Sequence, residues 1–141
     1  GFDIFSYFGL GCRNVSHLML PEGFELSRFF EGVFSHSEVI NNNKYGNNYD
    51  YNKAVYLMNK LELLDNNFVL LRESNELFST LSMVHYQFYN DQNYIDAFLK
   101  ANEENIQVVV GKDYLNFGES QCPGLSDYAD GVDVMSWLAN L

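Results

Sequence analysis

Apolar residues along this chain fall into short blocks of two different periods, and the polar stretches between them carry the turn chemistry. Phe2 to Phe8 is an aromatic run stopped by Gly9 and Gly11, which fits either the last turns of a helix or a short strand entering a tight turn. Val15 to Leu20 reads as a buried strand closed by Pro21, Glu22 and Gly23, where Pro fixes φ and Gly permits a positive φ. Leu26, Phe29, Phe30 and Val33 then recur at helical spacing, with Ser27, Arg28 and Glu31 opposite, and predict an amphipathic helix of about three turns. Asn41 to Asn52 holds Asn, Tyr, Gly and Lys with almost no aliphatic residue, and is predicted as a polar surface loop. Asp50 is expected to cap a following helix whose apolar side is Ala54, Val55, Leu57, Met58 and Leu61.

The Asp65-Asn66-Asn67 turn leads into Phe68–Leu71, a short buried strand. Between Leu81 and Tyr89 a second strand is predicted, with Met83, His85, Gln87 and Tyr89 alternating against Val84, Tyr86 and Phe88. Asp91 starts a helix through Ile95, Phe98 and Leu99, and Ile106–Val110 is a β-branched run of the kind found in interior strands. Asn116 to Asp127 is a loop containing Gly and Pro, and Val132 to Leu141 is a last amphipathic helix. Strands alternating with helices predict an α/β layer fold, a parallel or mixed sheet covered by helices. The chain shows no internal repeat.

The 141 residues suit one domain, spanning 1–141, since domains run to about 100–200 residues. A hydrophobic fraction of 47% with 19% charged residues is ordinary for a globular chain and excludes a disordered or fibrous one. No apolar run approaches the roughly 18 residues of a bilayer span, so no membrane span is expected. A net charge of −11 repels phosphate backbones and anionic surfaces, which argues against nucleic acid as a partner. The two cysteines are read as reduced thiols of a cytoplasmic protein. Gly1 followed by Phe2, with no initiator Met, reads as a start within a longer protein, Gly1 being a remnant of tag removal.

Candidate chemistry centres on Cys12, between Gly9-Leu10-Gly11 and Arg13-Asn14. Glycines leave the backbone uncovered, so a carbonyl substrate could approach the thiol and turn N–H groups could hold an oxyanion; Arg13 adds a cation. The plain alternative is a small buried hydrophobe at a turn. Cys122, in Phe117–Gly124, is either a second active thiol or a loop residue without a chemical role. His17, His36 and His85 lack metal-ligand spacing, and no metal is expected. His17 lies about 16 Å from Cys12 along an extended chain, too far to serve as its base, and all three histidines are read as structural. Glu103 and Glu104 read as a solvated helix end.

The run FSYFGLGCRNVSHLMLPEGF resembles the nucleophile segment of the aldehyde dehydrogenase superfamily. Together with VINNNKYGNNYDYNK, LDNNFVLL and FGESQCPGLSDYADGVD, it is similar to the fatty acyl-CoA reductases of the bioluminescence (LuxC) type, over nearly all of residues 2 to 140. The resemblance implies a three-layer sheet flanked by helices, the C-terminal part of an aldehyde dehydrogenase-like catalytic domain. It implies that Cys12 accepts the acyl group of a long-chain acyl-CoA or other acyl thioester, and that hydride from NADPH reduces the acyl-cysteine to a fatty aldehyde.

Gly11 and Arg13 then belong to the nucleophile turn, Glu76 and Phe78 to a Glu-x-Phe contact with the nicotinamide ribose, and Phe117 and Gly118 to a late Phe-Gly loop. The nucleotide-binding half, the general base and the oxyanion-hole Asn would lie upstream of Gly1, leaving residues 1–141 inactive alone, and a homodimer would cover the apolar Phe2–Phe8 run. The competing reading is a non-catalytic acidic α/β interaction module with a structural Cys12. A cysteine hydrolase is a third, without a His partner for the thiol.

Overall fold

Period-two alternation in the middle of the chain builds a four-stranded mixed sheet. The computed structural model describes residues 1–128 and 131–141. Strands β1 (His17–Pro21), β2 (Leu64–Asp65), β3 (Leu70–Glu73) and β4 (Met83–Tyr89) are ordered β1-β4-β3-β2. Strand β4 runs parallel to both β1 and β3, and β2 runs antiparallel to β3. Five α-helices accompany them among the described residues: α1 (Phe2–Phe5), α2 (Leu26–Val33), α3 (Asn43–Met58), α4 (Gln92–Ala101) and α5 (Val134–Ala139). The chain is an α/β fold, as its pattern predicts.

Because side chains alternate across a strand, the register Leu18↔Tyr86 and Leu20↔Phe88 gives the sheet one apolar face. That face is closed by Phe5 of α1, Val33 of α2 and Tyr45 of α3, with Phe29 and Phe30 packed behind them. The other face carries His17, Met19, His85 and Gln87. Helix α4 reaches it through Phe98, whose ring stacks on His17 at 5.2 Å, and through the Tyr94 hydroxyl, 3.2 Å from Gln87. Parallel neighbours usually need a crossover of about a dozen residues or more, commonly a helix. Here residues 74–82 join β3 to β4 with no helix and lie against the histidine face, with Ser16 Oγ donating to the Leu77 carbonyl at 3.2 Å.

Two elements differ from the sequence reading, each for a local reason. The Asn/Tyr tract is helix, not loop. Asn42 accepts the Tyr45 amide through its side chain, and Tyr45, Tyr49 and Asn52 form the buried stripe that aliphatic residues were expected to supply. Asp50 therefore lies inside α3 rather than at its cap, while Leu57 and Met58 face outward. Gly46 is required there, since a Cβ would come within 2.9 Å of the Ile40 carbonyl.

Ile106–Val110 does not join the sheet. Gly111 turns the chain so that Leu115 returns to Val110 in one isolated bridge, with the Leu115 amide 3.2 Å from the Val109 carbonyl. Phe2–Phe8 resolves as a short helix followed by a left-handed turn: Tyr7, Phe8 and Gly9 all have positive φ. Each non-glycine residue so placed costs about 1–2 kcal/mol. Asn14 offsets that locally, because its amide nitrogen donates to the Asp3, Ile4 and Ser6 carbonyls left open at the end of α1.

Candidate functional site

Cys12 is exposed in the turn Gly11–Asn14, which the Asn14 amide closes by donating to the Gly11 carbonyl at 3.0 Å. The Gly11 amide donates back to Asn14 Oδ1 at 2.6 Å. A Cβ on Gly11 would sit 2.7 Å from that oxygen and 3.2 Å from Gln121 Oε1, so a side chain there would have to push the Asn14 carboxamide aside. An oxyanion at this turn must therefore displace the Asn14 carboxamide or use donors other than Gly11.

Three further hydrogen bonds pin the Phe117–Cys122 loop to this turn and to α1. Arg13 Nε donates to the Ser120 carbonyl at 2.6 Å. The Asp3 carboxylate, buried beside α1, accepts the Gly118 amide at 2.7 Å and the Ser120 amide at 3.0 Å. Burial by itself pushes the Asp3 carboxyl up, but these donors outweigh it and hold the group below its ordinary value. Gly118 has φ +89°, which a side chain would strain. Phe117 and Cys122 are exposed.

Cys12 and Arg13 open onto a cleft of about 470 Å³ whose walls include Glu103, Glu104, Asp127 and Tyr128. Its lining carries three carboxylates and one guanidinium, a field that repels phosphates. Glu76 and Phe78 are not among its walls. They lie on the crossover: the Glu76 carboxylate faces solvent 3.5 Å from Arg72, and the Phe78 ring is exposed. The structure thus brings Cys12, Arg13 and the Phe117–Gly118 loop together and leaves Glu76 and Phe78 elsewhere.

His17 turns away from Cys12. Its Nδ1 is bonded to the Glu76 carbonyl at 3.0 Å, and His85 Nδ1 meets the same oxygen at the same distance. His36 stacks on Phe5 with ring centroids 5.7 Å apart. A separate polar cluster ties β2 to α3: Asp65 accepts from Tyr49 and pairs with Lys53, each at 2.5 Å. Burial, then the Asp65 carboxylate, push the Tyr49 phenol up to about 12, so it stays protonated at neutral pH.

Sequence reasoning missed Asp3 and Asn14 as the organisers of the Cys12 turn. One signal was present for Asp3, a lone carboxylate inside an aromatic run, where burial demands a specific partner. No group of three or more potential metal ligands occurs among the described residues, and none of their helices is long and apolar enough to cross a membrane. No family model matches this chain, and neither the curated proteins nor the solved structures contain a significant match to it.

Proposed function

We propose that residues 1–141 are part of a fatty acyl-CoA reductase in which Cys12 accepts the acyl group, and that the sheet and its helices belong to an aldehyde dehydrogenase-like catalytic domain of a cytoplasmic protein. The supporting observation is an exposed thiol at the crest of a turn held by Asp3, Asn14 and Arg13 and opening onto a cleft. In this reading Cys12 Sγ attacks a long-chain acyl thioester, the substrate's carbon–sulfur bond breaks, its thiol leaves, and an acyl-cysteine remains. NADPH would supply the hydride that releases a fatty aldehyde from such an intermediate.

The residues of this chain do not fit a dinucleotide by themselves. The cleft is acidic, and Glu76 and Phe78, though exposed, stand outside it. Groups that hold the cofactor and the phosphates of acyl-CoA come, in this reading, from protein beyond residues 1–141. Phe5 packs into the core while Phe2, Tyr7 and Phe8 are exposed, and these three form the surface for the proposed homodimer.

The second reading, a non-catalytic acidic interaction module, is favoured by the engagement of both candidate oxyanion donors: the Gly11 amide with Asn14, and Arg13 Nε with Ser120. Incubation with myristoyl-CoA followed by intact mass measurement separates the two. The reductase reading expects one acyl adduct on the wild type and on Cys122→Ser, and none on Cys12→Ala. Equal acylation of Cys12→Ala favours the interaction module.

A further inference from the structure

We propose that the crossover between β3 and β4 is an acid-released latch: it is fastened to the sheet by the His17 and His85 imidazoles, and protonation of His17 in mildly acid conditions frees the segment carrying Glu76 and Phe78. The latch stands whether or not those two residues have the role proposed above.

The argument begins with one oxygen. The Glu76 carbonyl lies 3.0 Å from both His17 Nδ1 and His85 Nδ1, and a carbonyl only accepts, so both rings must carry their proton on Nδ1. In the neutral rings Nε2 is then a bare lone pair. Both Nε2 atoms are sealed from solvent with no hydrogen-bond partner among the described residues, and His85 is only 1% exposed. Protonating His17 strengthens its Nδ1–H bond to the carbonyl, but the new N–H appears at the sealed Nε2, where an unpaired buried donor is costly and burial outweighs the gain.

Charge acts in the same direction. The register Arg72↔His85↔His17 places a guanidinium and two imidazoles in one row on one face of three adjacent strands. Around them, α4 contributes the Phe98 ring and, through Gln87, the Tyr94 hydroxyl, both uncharged. From the crossover comes the Glu76 carboxylate, exposed and turned to Arg72. Protonating His17 would therefore put a second cation in this row, with one solvated anion beside it.

Burial is the largest influence holding His17 below its ordinary value; the Glu76 carbonyl opposes it and His85 adds to it. The stabilisation is complete above the unfolded imidazole value of about 6.5 and is lost as pH falls from there through the lowered folded value. Release would be local, because residues 76 and 77 are held by these two imidazoles, the Ser16 hydroxyl and the exposed Arg72–Glu76 pair, while Ser79 and Leu81 stay tied to Met83 and Asn52.

Limited proteolysis, normalised to cleavage of an unstructured peptide at each pH, reads the latch directly. Between about pH 7.5 and about pH 5.5 cleavage within residues 75–78 should rise by about tenfold or more, while α2 and α3 stay uncut. The double variant His17→Asn with His85→Asn keeps an amide donor near each Nδ1 position and cannot titrate, so its crossover should stay protected from cleavage at the lower pH. Nitrogen NMR of the wild-type imidazoles should find both rings in the Nδ1–H form at about pH 7.5. Unchanged wild-type cleavage, an Nε2–H form at either ring, or the same rise in the double variant would each overturn the latch. Should the double variant not fold, the two wild-type measurements still decide.

Discussion

The centre of the sheet and the rim around Cys12 are stabilised by opposite means. Val69, Leu70 and Leu71 are wholly buried and Val84 nearly so, in contact with apolar side chains of α1, α2 and α3 or of the segments beside them. Around Cys12 the apolar side chains Leu10, Phe117 and Leu125 are exposed, and geometry is set instead by Asp3, Asn14 and Arg13. Apolar burial is large and tolerant of direction; hydrogen bonds are smaller and fix position. A substitution in the centre should therefore unfold the chain, whereas one in the tethers should loosen the site on a folded scaffold.

The largest effect is expected at Leu70, which has no solvent exposure and packs with Tyr49 and Met83. Leu70→Ala should cost about 2–5 kcal/mol, the lost transfer energy plus the cavity left between β3 and α3. Urea unfolding should show a lower midpoint with an unchanged slope. A loss below about 1 kcal/mol would mean that the centre repacks freely and that the contrast with the rim is drawn in the wrong place.

The tethers come next. Asp3→Ala removes the acceptor of two backbone amides, one of them buried, and should cost about 1.5–3 kcal/mol. Most of that cost should appear as faster protease cleavage within residues 117–124, with the sheet amides still protected from exchange. The pH dependence has a definite sign. Because the folded Asp3 carboxyl lies below its ordinary value, its contribution is full above about pH 4, the unfolded value, and is lost as pH falls through the folded one. Acid should loosen the wild-type loop and leave the Asp3→Ala loop unchanged; equal acid sensitivity in both would remove Asp3 from this role.

The two regions also differ in how much of them the sequence discloses. Strands β1, β3 and β4 are legible because runs such as Met83–Tyr89 alternate strictly, and the sheet face each residue takes follows from that period. The first half of helix α3 is not, because its buried stripe is made of tyrosines and an asparagine. Tyr45 satisfies its hydroxyl on the Phe68 carbonyl and Asn52 its amide on the Leu81 carbonyl, partners distant in the chain. Cys12 stands out locally by its glycines, but Asp3 reaches residues more than a hundred positions away, and no local pattern encodes such a contact. The His17–His85 pairing was hidden for the same reason: a shared carbonyl on a crossover depends on register.

The smallest effect tests which side of α3 is buried, and so where the packed centre ends. The aliphatic pattern assigns Met58 to the apolar face, whereas in the structure it is 83% exposed at the last residue of the helix. Met58→Lys should change stability by no more than about 0.5 kcal/mol, with a slight gain, because a cation at a helix C-terminus interacts favourably with the macrodipole. Tyr45→Phe, thirteen positions earlier and 2% exposed, should cost about 1 kcal/mol by leaving the Phe68 carbonyl without its donor. Paired urea melts would read both variants, and the comparison turns on their order. If Met58→Lys proves the more damaging, α3 is rotated to bury its aliphatic side, and the tyrosine stripe that closes the sheet's centre belongs to the surface.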